Sequence, residues 1–157
     1  MSRFLWVICG VSLLGAGCFQ NSTPQHSSFL APDYQSTFPI VRTCRQTGSN
    51  AADGSSGSHN FRYLQVRANS IAGDPYTTTP PAGSIVVAEE HDDSTCNSLI
   101  GFKLMAKENP GYDSAAGDWH WQELDSNQRV LQDGHLTACS SCHARPPCNG
   151  DYLCSSP

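Results

Sequence analysis

Two cysteines and a histidine near the end of the chain have a spacing that supports covalent chemistry. The segment Cys139-Ser140-Ser141-Cys142-His143 has the pattern C-x-x-C-H. This is the attachment pattern of a c-type haem, because its two thiols can form thioethers to the two vinyl groups of one porphyrin. The imidazole that follows can then bind the iron. We therefore expect one covalent haem c on Cys139 and Cys142, with His143 as the proximal iron ligand.

Three other interpretations of these residues stay open. Cys139 and Cys142 could be a redox-active C-x-x-C pair, although no βαβ pattern surrounds them. Together with Cys148 and Cys154 they could hold a zinc ion through four thiolates, although the second pair lacks the C-x-x-C spacing. They could also be ordinary disulfide cysteines followed by an unrelated histidine.

The composition indicates a compartment and excludes one class of partner. A chain of 157 residues has the length of a single domain. Its net charge is -5, and its 9 lysine and arginine residues form no basic stripe, so we expect no nucleic-acid partner. Eight cysteines in so short a chain indicate an oxidising environment.

The first residues have the features of an export signal. Arg3 precedes an apolar run at 4–14, and small residues then lead to Cys18. This run is typical of a secretory signal and too short to remain as a membrane span. The small residues resemble a bacterial lipobox, except that Gly15 stands where a larger aliphatic residue is usual. We expect residues 1–17 to be a lipoprotein signal peptide and Cys18 to be lipidated; a plain signal peptide is the alternative.

A lipid on Cys18 would attach the protein to a membrane. Phe19 follows Cys18 in place of the aspartate that retains many lipoproteins at the inner membrane, which favours the outer membrane. We expect the protein in the bacterial cell envelope, on the periplasmic side, where haem c is attached. Residues 18–35 are rich in Ser, Gln, Pro and Asn, which predicts a flexible tether, and residues 36–157 are expected to form the haem domain.

Alternating and β-branched segments predict a mainly antiparallel sheet. The clearest strand pattern covers residues 83–90, where the acidic run at 89–93 is expected to end the strand. Other strand patterns cover residues 61–67, 99–106, 118–124 and 129–131, after a first apolar cluster at 38–41. Short loops between these segments favour antiparallel pairing over βαβ units. We therefore expect an α+β, mainly antiparallel β fold, in which the C-x-x-C-H motif forms a short helical turn.

Four cysteines are left after the signal, lipid and haem assignments: Cys44, Cys96, Cys148 and Cys154. An even number in an exported domain predicts two disulfides, for which three connectivities are possible. Cys148–Cys154 is the simplest local pair, and it leaves Cys44–Cys96 as the second.

The order of four sequence blocks resembles the cytochrome P-460 family. The blocks are Arg62 within residues 61–66, the segment 83–87, the segment 117–121, and the C-x-x-C-H motif with Asp151-Tyr152 beyond it. The resemblance extends from Phe38 to Cys154 and implies a five-stranded antiparallel sheet with a few short helices and one haem. Small all-helical cytochromes c differ, because they have C-x-x-C-H near the N-terminus.

One position divides that family. Its hydroxylamine-oxidising members have a lysine, cross-linked to the porphyrin, where this chain has Ala88. Because alanine has no nucleophile, the resemblance is to the cytochrome c-prime-beta type, which lacks the cross-link and binds nitric oxide at an open distal face. The resemblance also places Arg62 and Lys103 in the distal pocket. Arg62 could hydrogen-bond a bound ligand, and Lys103 stands near the position of a distal glutamate.

The sixth iron position separates the possible functions, since an open position binds small ligands and a filled one favours electron transfer. The side chains that could fill it are Met105, Lys103, His59, His91, His120 and His135. The resemblance implies that none binds strongly, and hence five-coordinate iron.

The leading hypothesis is an exported monohaem cytochrome that binds a small gaseous or nitrogen-oxide ligand, transfers electrons, or does both. A hydroxylamine or nitric oxide oxidoreductase is the first alternative. A haem-free, disulfide-stapled lipoprotein is the second. A redox partner protein is expected without any indication of its identity, and related proteins are often homodimers.

Overall fold

Six consecutive strands form one antiparallel sheet in this structure, a computed structural model that describes residues 26–46, 63–77, 79–145, 148 and 151–154. The order of the strands in the sheet is their order in the chain. The strands are β1 (Ile40–Gln46), β2 (Tyr63–Ala68), β3 (Ile85–His91), β4 (Leu99–Lys107), β5 (Trp119–Asp125) and β6 (Val130–Gly134). The helices are short: α1 (Tyr34–Thr37), a 3-10 turn (Ser114–Ala116) and α2 (Thr137–His143).

The mainly antiparallel fold is confirmed, and the expected number of five strands is wrong. The described residues contain a sixth strand because the apolar cluster at 38–41 continues as β1, which pairs with β2 from Ile40 to Gln46. The strand predicted at 83–90 is β3, and it ends at His91, within the acidic run at 89–93 as expected. Glu89 and Glu90 are buried inside that strand, 2% and 7% exposed, and are therefore part of the sheet.

The two faces of the sheet have separate apolar clusters. On one face, here called the helix face, residues of α2 and of the segment 151–154, here called the chain end, pack on the sheet. The sheet residues there are Val66, Ala68, Val86, Met105, Trp119 and Trp121. On the other face, here called the N-terminal face, the segment before β1 packs on the sheet. Its residues Leu30, Tyr34 and Phe38 cluster with the strand residues Val87, Phe102, Leu104 and Leu124. Strand alternation thus gives the sheet two buried sides.

Residues 26–35 pack on the N-terminal face and do not form the tether that composition predicts for them. Leu30 and Tyr34 are buried, 4% and 2% exposed. The side-chain amide of Gln122 accepts a hydrogen bond from the backbone N–H of Phe29 at 2.9 Å. Composition averaged over the segment misses these few apolar residues, whose burial stabilises the packed segment.

Glu89 is a buried carboxylate that the N-terminal segment helps to satisfy. Its oxygens accept hydrogen bonds from the Tyr34 hydroxyl at 2.7 Å, from Gln65 Nε2 at 2.7 Å and from Arg67 Nε at 3.1 Å. Burial raises the pKa of the Tyr34 hydroxyl, and the hydrogen bond to Glu89 raises it further by a smaller amount. The network ties the N-terminal segment to two strands of the sheet.

Both predicted disulfides are present. Cys44–Cys96 joins β1 to the loop between β3 and β4, across 52 residues of sequence. Cys148–Cys154 joins positions 6 apart after α2. The local pairing expected from the sequence is confirmed, and so is the pairing that it leaves.

Residues 1–25 lie outside the described residues, and with them the predicted signal peptide and Cys18. Within the described ranges, no helix has the length and apolar character needed to cross a membrane.

Removing the Tyr34 hydroxyl tests the contribution of the N-terminal segment to stability. We expect Tyr34→Phe to lower the free energy of unfolding by about 1–3 kcal/mol, because the buried Glu89 carboxylate loses a hydrogen bond. Tyr112→Phe is the matched control. The Tyr112 ring stacks on His120 and His135 through its faces, so we expect a change within about 0.5 kcal/mol. Urea denaturation measures both, and equal effects of the two substitutions would contradict the prediction.

Candidate functional site

Helix α2 presents the three motif residues on one side. Backbone hydrogen bonds from Cys139 to Leu136 and from Ala144 to Ser140 define the helix, so the expected helical conformation of the motif is confirmed. Residues at spacings of three and four lie on one side of a helix. Cys139, Cys142 and His143 have these spacings and therefore project together toward the helix face of the sheet.

Cys139 and Cys142 are the two free cysteines of the part of the chain that the structure describes. The metal-binding atoms of His143, Cys148 and Cys154 lie within 4.8 Å of one another, but the two sulfurs form a disulfide. A disulfide sulfur carries no thiolate charge and is a poor zinc ligand. The four-thiolate zinc interpretation therefore does not fit this oxidised protein.

The Cys139 thiol is partly covered by the apolar cluster of the helix face. Burial raises the pKa of this thiol, and the positive charge of Lys103 offsets part of the effect. The group is therefore a protonated thiol near neutral pH. A free thiol, rather than a disulfide, is the form that can add to a vinyl group.

The protonation of the His143 ring follows from one hydrogen bond. His143 Nδ1 lies 2.7 Å from the backbone carbonyl oxygen of Tyr152. A carbonyl can only accept, so Nδ1 carries the hydrogen and the lone pair of the neutral ring is on Nε2. The ring also packs edge-on against Trp121, with 4.9 Å between ring centroids. The imidazole is thus fixed in tautomer and in orientation, in the same way that a hydrogen bond to the other ring nitrogen fixes metal-binding histidines.

Asp151, the residue before Tyr152, is held on the sheet by its side chain and its backbone. The Asp151 side chain forms an ion pair with Lys107 Nζ at 2.6 Å. Its backbone carbonyl accepts a hydrogen bond from Trp119 Nε1 at 2.9 Å. The Lys107 ammonium also lies 4.7 Å from the centre of the Trp119 ring. These contacts connect residues 151–154 to the last residue of β4 and the first residue of β5.

Tyr152 itself has an unusual backbone conformation. Its φ of 65° lies in the left-handed region, which is uncommon for residues other than glycine. The Tyr152 hydroxyl donates to the carbonyl of Ala115 at 2.6 Å. A Cβ at Gly117 would lie 2.9 Å from the Tyr152 ring, so the glycine leaves the space that the ring needs. Several contacts therefore aim the Tyr152 carbonyl at His143.

Lys103 lies close to the motif, on the helix face. Its cross-strand neighbours are Ala88 and Glu123, which share that face. Lys103 Nζ lies 2.6 Å from a Glu123 carboxylate oxygen and 4.0 Å from one of Glu90. In this ion pair Lys103 is an ammonium group, which has no lone pair to donate to a metal. The structure thus brings Lys103 near the motif as half of an ion pair.

Strand register places the other candidate sixth ligands on different sides of the sheet. Met105 is 6% exposed and lies in the cluster of the helix face, opposite Trp121 on β5. His91 and His120 are on strand positions that face the N-terminal side. The sheet separates these two histidines from the motif. His135 is exposed.

Two predicted residues of the site cannot be placed. Arg62 and His59 lie outside the described residues. The prediction that Arg62 belongs to a distal pocket stays a prediction.

Sequence reasoning missed the role of the Tyr152 carbonyl and the pairing of Lys103 with Glu123. Tyr152 is visible in the sequence only as a residue nine positions after His143, and a backbone carbonyl has no sequence signal. The Lys103–Glu123 pair depends on the register between β4 and β5. Opposite charges on adjacent predicted strands are the only signal that could have pointed to it.

The chain matches no protein-family model, and no curated protein matches it. We therefore infer the function from the residues of the site.

The raised pKa of the Cys139 thiol gives a pH-dependent prediction for the protein without haem. Only the thiolate reacts with iodoacetamide. We expect the alkylation rate of Cys139 to rise with pH to a midpoint above that of an ordinary cysteine, because burial favours the neutral thiol. Peptide mass spectrometry, on protein made without haem attachment, resolves this residue from the other cysteines. A midpoint at or below that of a cysteine peptide would contradict the prediction.

Proposed function

We propose that this protein is an exported c-type cytochrome with one haem, which binds a small nitrogen-oxide ligand, transfers electrons through the haem, or does both. The observation that carries the proposal is the His143–Tyr152 hydrogen bond. It gives the histidine of a C-x-x-C-H motif the tautomer and the fixed orientation that an iron ligand needs. The two free thiols on the same side of α2 support the same assignment.

The residues around the motif fit a haem. Cys139 and Cys142 would hold the porphyrin, and His143 would bind the iron through Nε2. The indole Nε1 of Trp121 is buried, beside His143, and has no hydrogen-bond partner among the described residues. A buried donor without a partner is costly, and a porphyrin carboxylate could accept from it. When bound, the haem supplies one-electron chemistry and a coordination site for small ligands.

The chain's own residues control the surroundings of that site. The helix-face cluster covers Cys139 and limits the access of water to the motif. The Lys103–Glu123 pair is 15% and 28% exposed in its side chains, so it supplies charge near the motif without a net excess. Met105 is packed in the cluster, where a thioether side chain most often serves as a core residue. This supports iron with an open sixth position.

A hydroxylamine or nitric oxide oxidoreductase is the second candidate. Glu123 and Glu90 lie on the helix face with Lys103, and their carboxylates could accept protons from a substrate. Against this candidate, Ala88 has no group that could cross-link a porphyrin. We rank it below ligand binding and electron transfer for that reason.

Covalent haem is the first test of the proposal. We expect the exported protein, made with the haem-attachment machinery, to keep its haem after denaturation. The Cys139→Ser/Cys142→Ser variant should lose it completely, because it has no thiol at either attachment position. Cys44→Ser/Cys96→Ser is the matched control, with the same number of cysteines replaced, and should keep haem. Haem staining of denaturing gels measures all three. Absence of covalent haem from the unaltered protein would leave the haem-free lipoprotein.

The state of the sixth position is the second test. We expect a high-spin c-type absorption spectrum that changes when nitric oxide is added. Met105→Leu conserves side-chain volume and should leave the spectrum unchanged, because the proposal gives Met105 no bond to iron. A low-spin spectrum that becomes high-spin in Met105→Leu would make methionine the sixth ligand and the protein an electron carrier. A ferrous Soret band shifted far to the red would support the oxidoreductase.

A further inference from the structure

The Cys148–Cys154 disulfide lies directly beside the proposed iron ligand. Cys154 Sγ is 3.6 Å from His143 Nδ1, the nitrogen that donates to Tyr152. Tyr152 itself is two residues before Cys154. The disulfide therefore links Cys154 to Cys148 close to the contact between the Tyr152 carbonyl and the imidazole.

We propose that this disulfide is a redox-sensitive positioning element for His143. In the oxidised form it holds the Tyr152 carbonyl against Nδ1, and in the reduced form it releases the carbonyl. The consequence for iron rests on the proposed function, whereas the consequence for the imidazole tautomer does not. Tyr152 is the positioning residue, and it acts through His143.

The backbone of Tyr152 depends on such a constraint. A residue other than glycine at a φ of 65° persists only where its surroundings hold it there. On the N-terminal side, Asp151 is held by Lys107 and Trp119. On the C-terminal side, the covalent link is the disulfide to Cys148. Opening that link removes the covalent constraint on this side and leaves only the packing of the buried Leu153 and the Tyr152 hydroxyl bond to Ala115. The backbone at Tyr152 can then relax away from His143.

Both sulfurs belong to half-buried residues, which makes the bond reachable by a small reductant. Reduction breaks the S–S bond, takes up two electrons and two protons, and forms two thiols. A dithiol supplies the electrons and protons and becomes a disulfide in exchange. The Cys44–Cys96 disulfide is remote from the motif, because it joins β1 to the loop after β3. It therefore provides a control on the same chain.

The chemical effect has a defined direction. A hydrogen bond from Nδ1 to a carbonyl makes the imidazole a stronger donor through Nε2. A stronger donor stabilises ferric iron more than ferrous iron. Loss of the Tyr152 contact should therefore move the haem reduction potential in the positive direction.

The first experiment uses the full chain without haem. Nitrogen-15 NMR of the His143 ring reports which nitrogen carries the hydrogen. We expect the Nδ1–H tautomer in the unaltered protein and in Cys44→Ala/Cys96→Ala. In Cys148→Ala/Cys154→Ala we expect loss of that single tautomer, and the same loss when a small dithiol reduces the unaltered protein. An unchanged Nδ1–H tautomer in the Cys148→Ala/Cys154→Ala variant, still folded by circular dichroism, would overturn the proposal.

The second experiment uses the haem-loaded protein. Potentiometric titration of the haem absorption should show a positive shift for Cys148→Ala/Cys154→Ala and none for Cys44→Ala/Cys96→Ala. Equal potentials in all three proteins would overturn the control of iron by this disulfide. Should the chain hold no covalent haem, the proposed function fails, and the NMR experiment still decides whether the disulfide sets the tautomer. If Cys148→Ala/Cys154→Ala does not fold, dithiol reduction of Cys44→Ala/Cys96→Ala opens the Cys148–Cys154 bond alone and gives the comparison.

Discussion

The hydrogen bond between His143 Nδ1 and the Tyr152 carbonyl is the contact on which the site depends. A free imidazole exchanges its hydrogen between two nitrogens, and only the nitrogen without hydrogen can bind a metal. One backbone carbonyl resolves that choice here. The chain end, from Asp151 to Cys154, supports this contact. Its ion pair, its hydrogen bonds and its disulfide each limit where the carbonyl can lie.

The sheet contributes by separating two environments. On the helix face, Trp121 and Met105 give the motif an apolar floor, and Lys103 with Glu123 adds a paired charge beside it. On the N-terminal face, Glu89 is a buried anion balanced by Arg67 and by neutral donors. A buried ion pair is weak support for stability by itself. Its effect here is to join the N-terminal segment to the strands behind the motif.

The fold was largely predictable because its strands follow one another in the chain. Alternating residues gave β3, β4 and β5 within one or two positions of their observed bounds. The extent of β1 was not predictable, since its residues from Arg42 to Gln46 are mostly polar and pair only because β2 lies beside them. The packing of Leu30 and Tyr34 was missed for a similar reason, because a short segment buries few residues and its average composition is polar.

The sequence by itself determined the chemical groups of the site and both disulfides. The C-x-x-C-H spacing sets which side chains can meet on one turn of helix, and an even number of cysteines leaves few pairings. The tertiary structure alone decided which nitrogen of His143 carries its hydrogen, because that depends on a backbone carbonyl nine residues away. It also decided that Lys103 is paired with Glu123, since strand register brings distant residues together. Residue types and their local spacing determine which chemical groups a short segment carries, whereas long-range contacts form only when the chain folds.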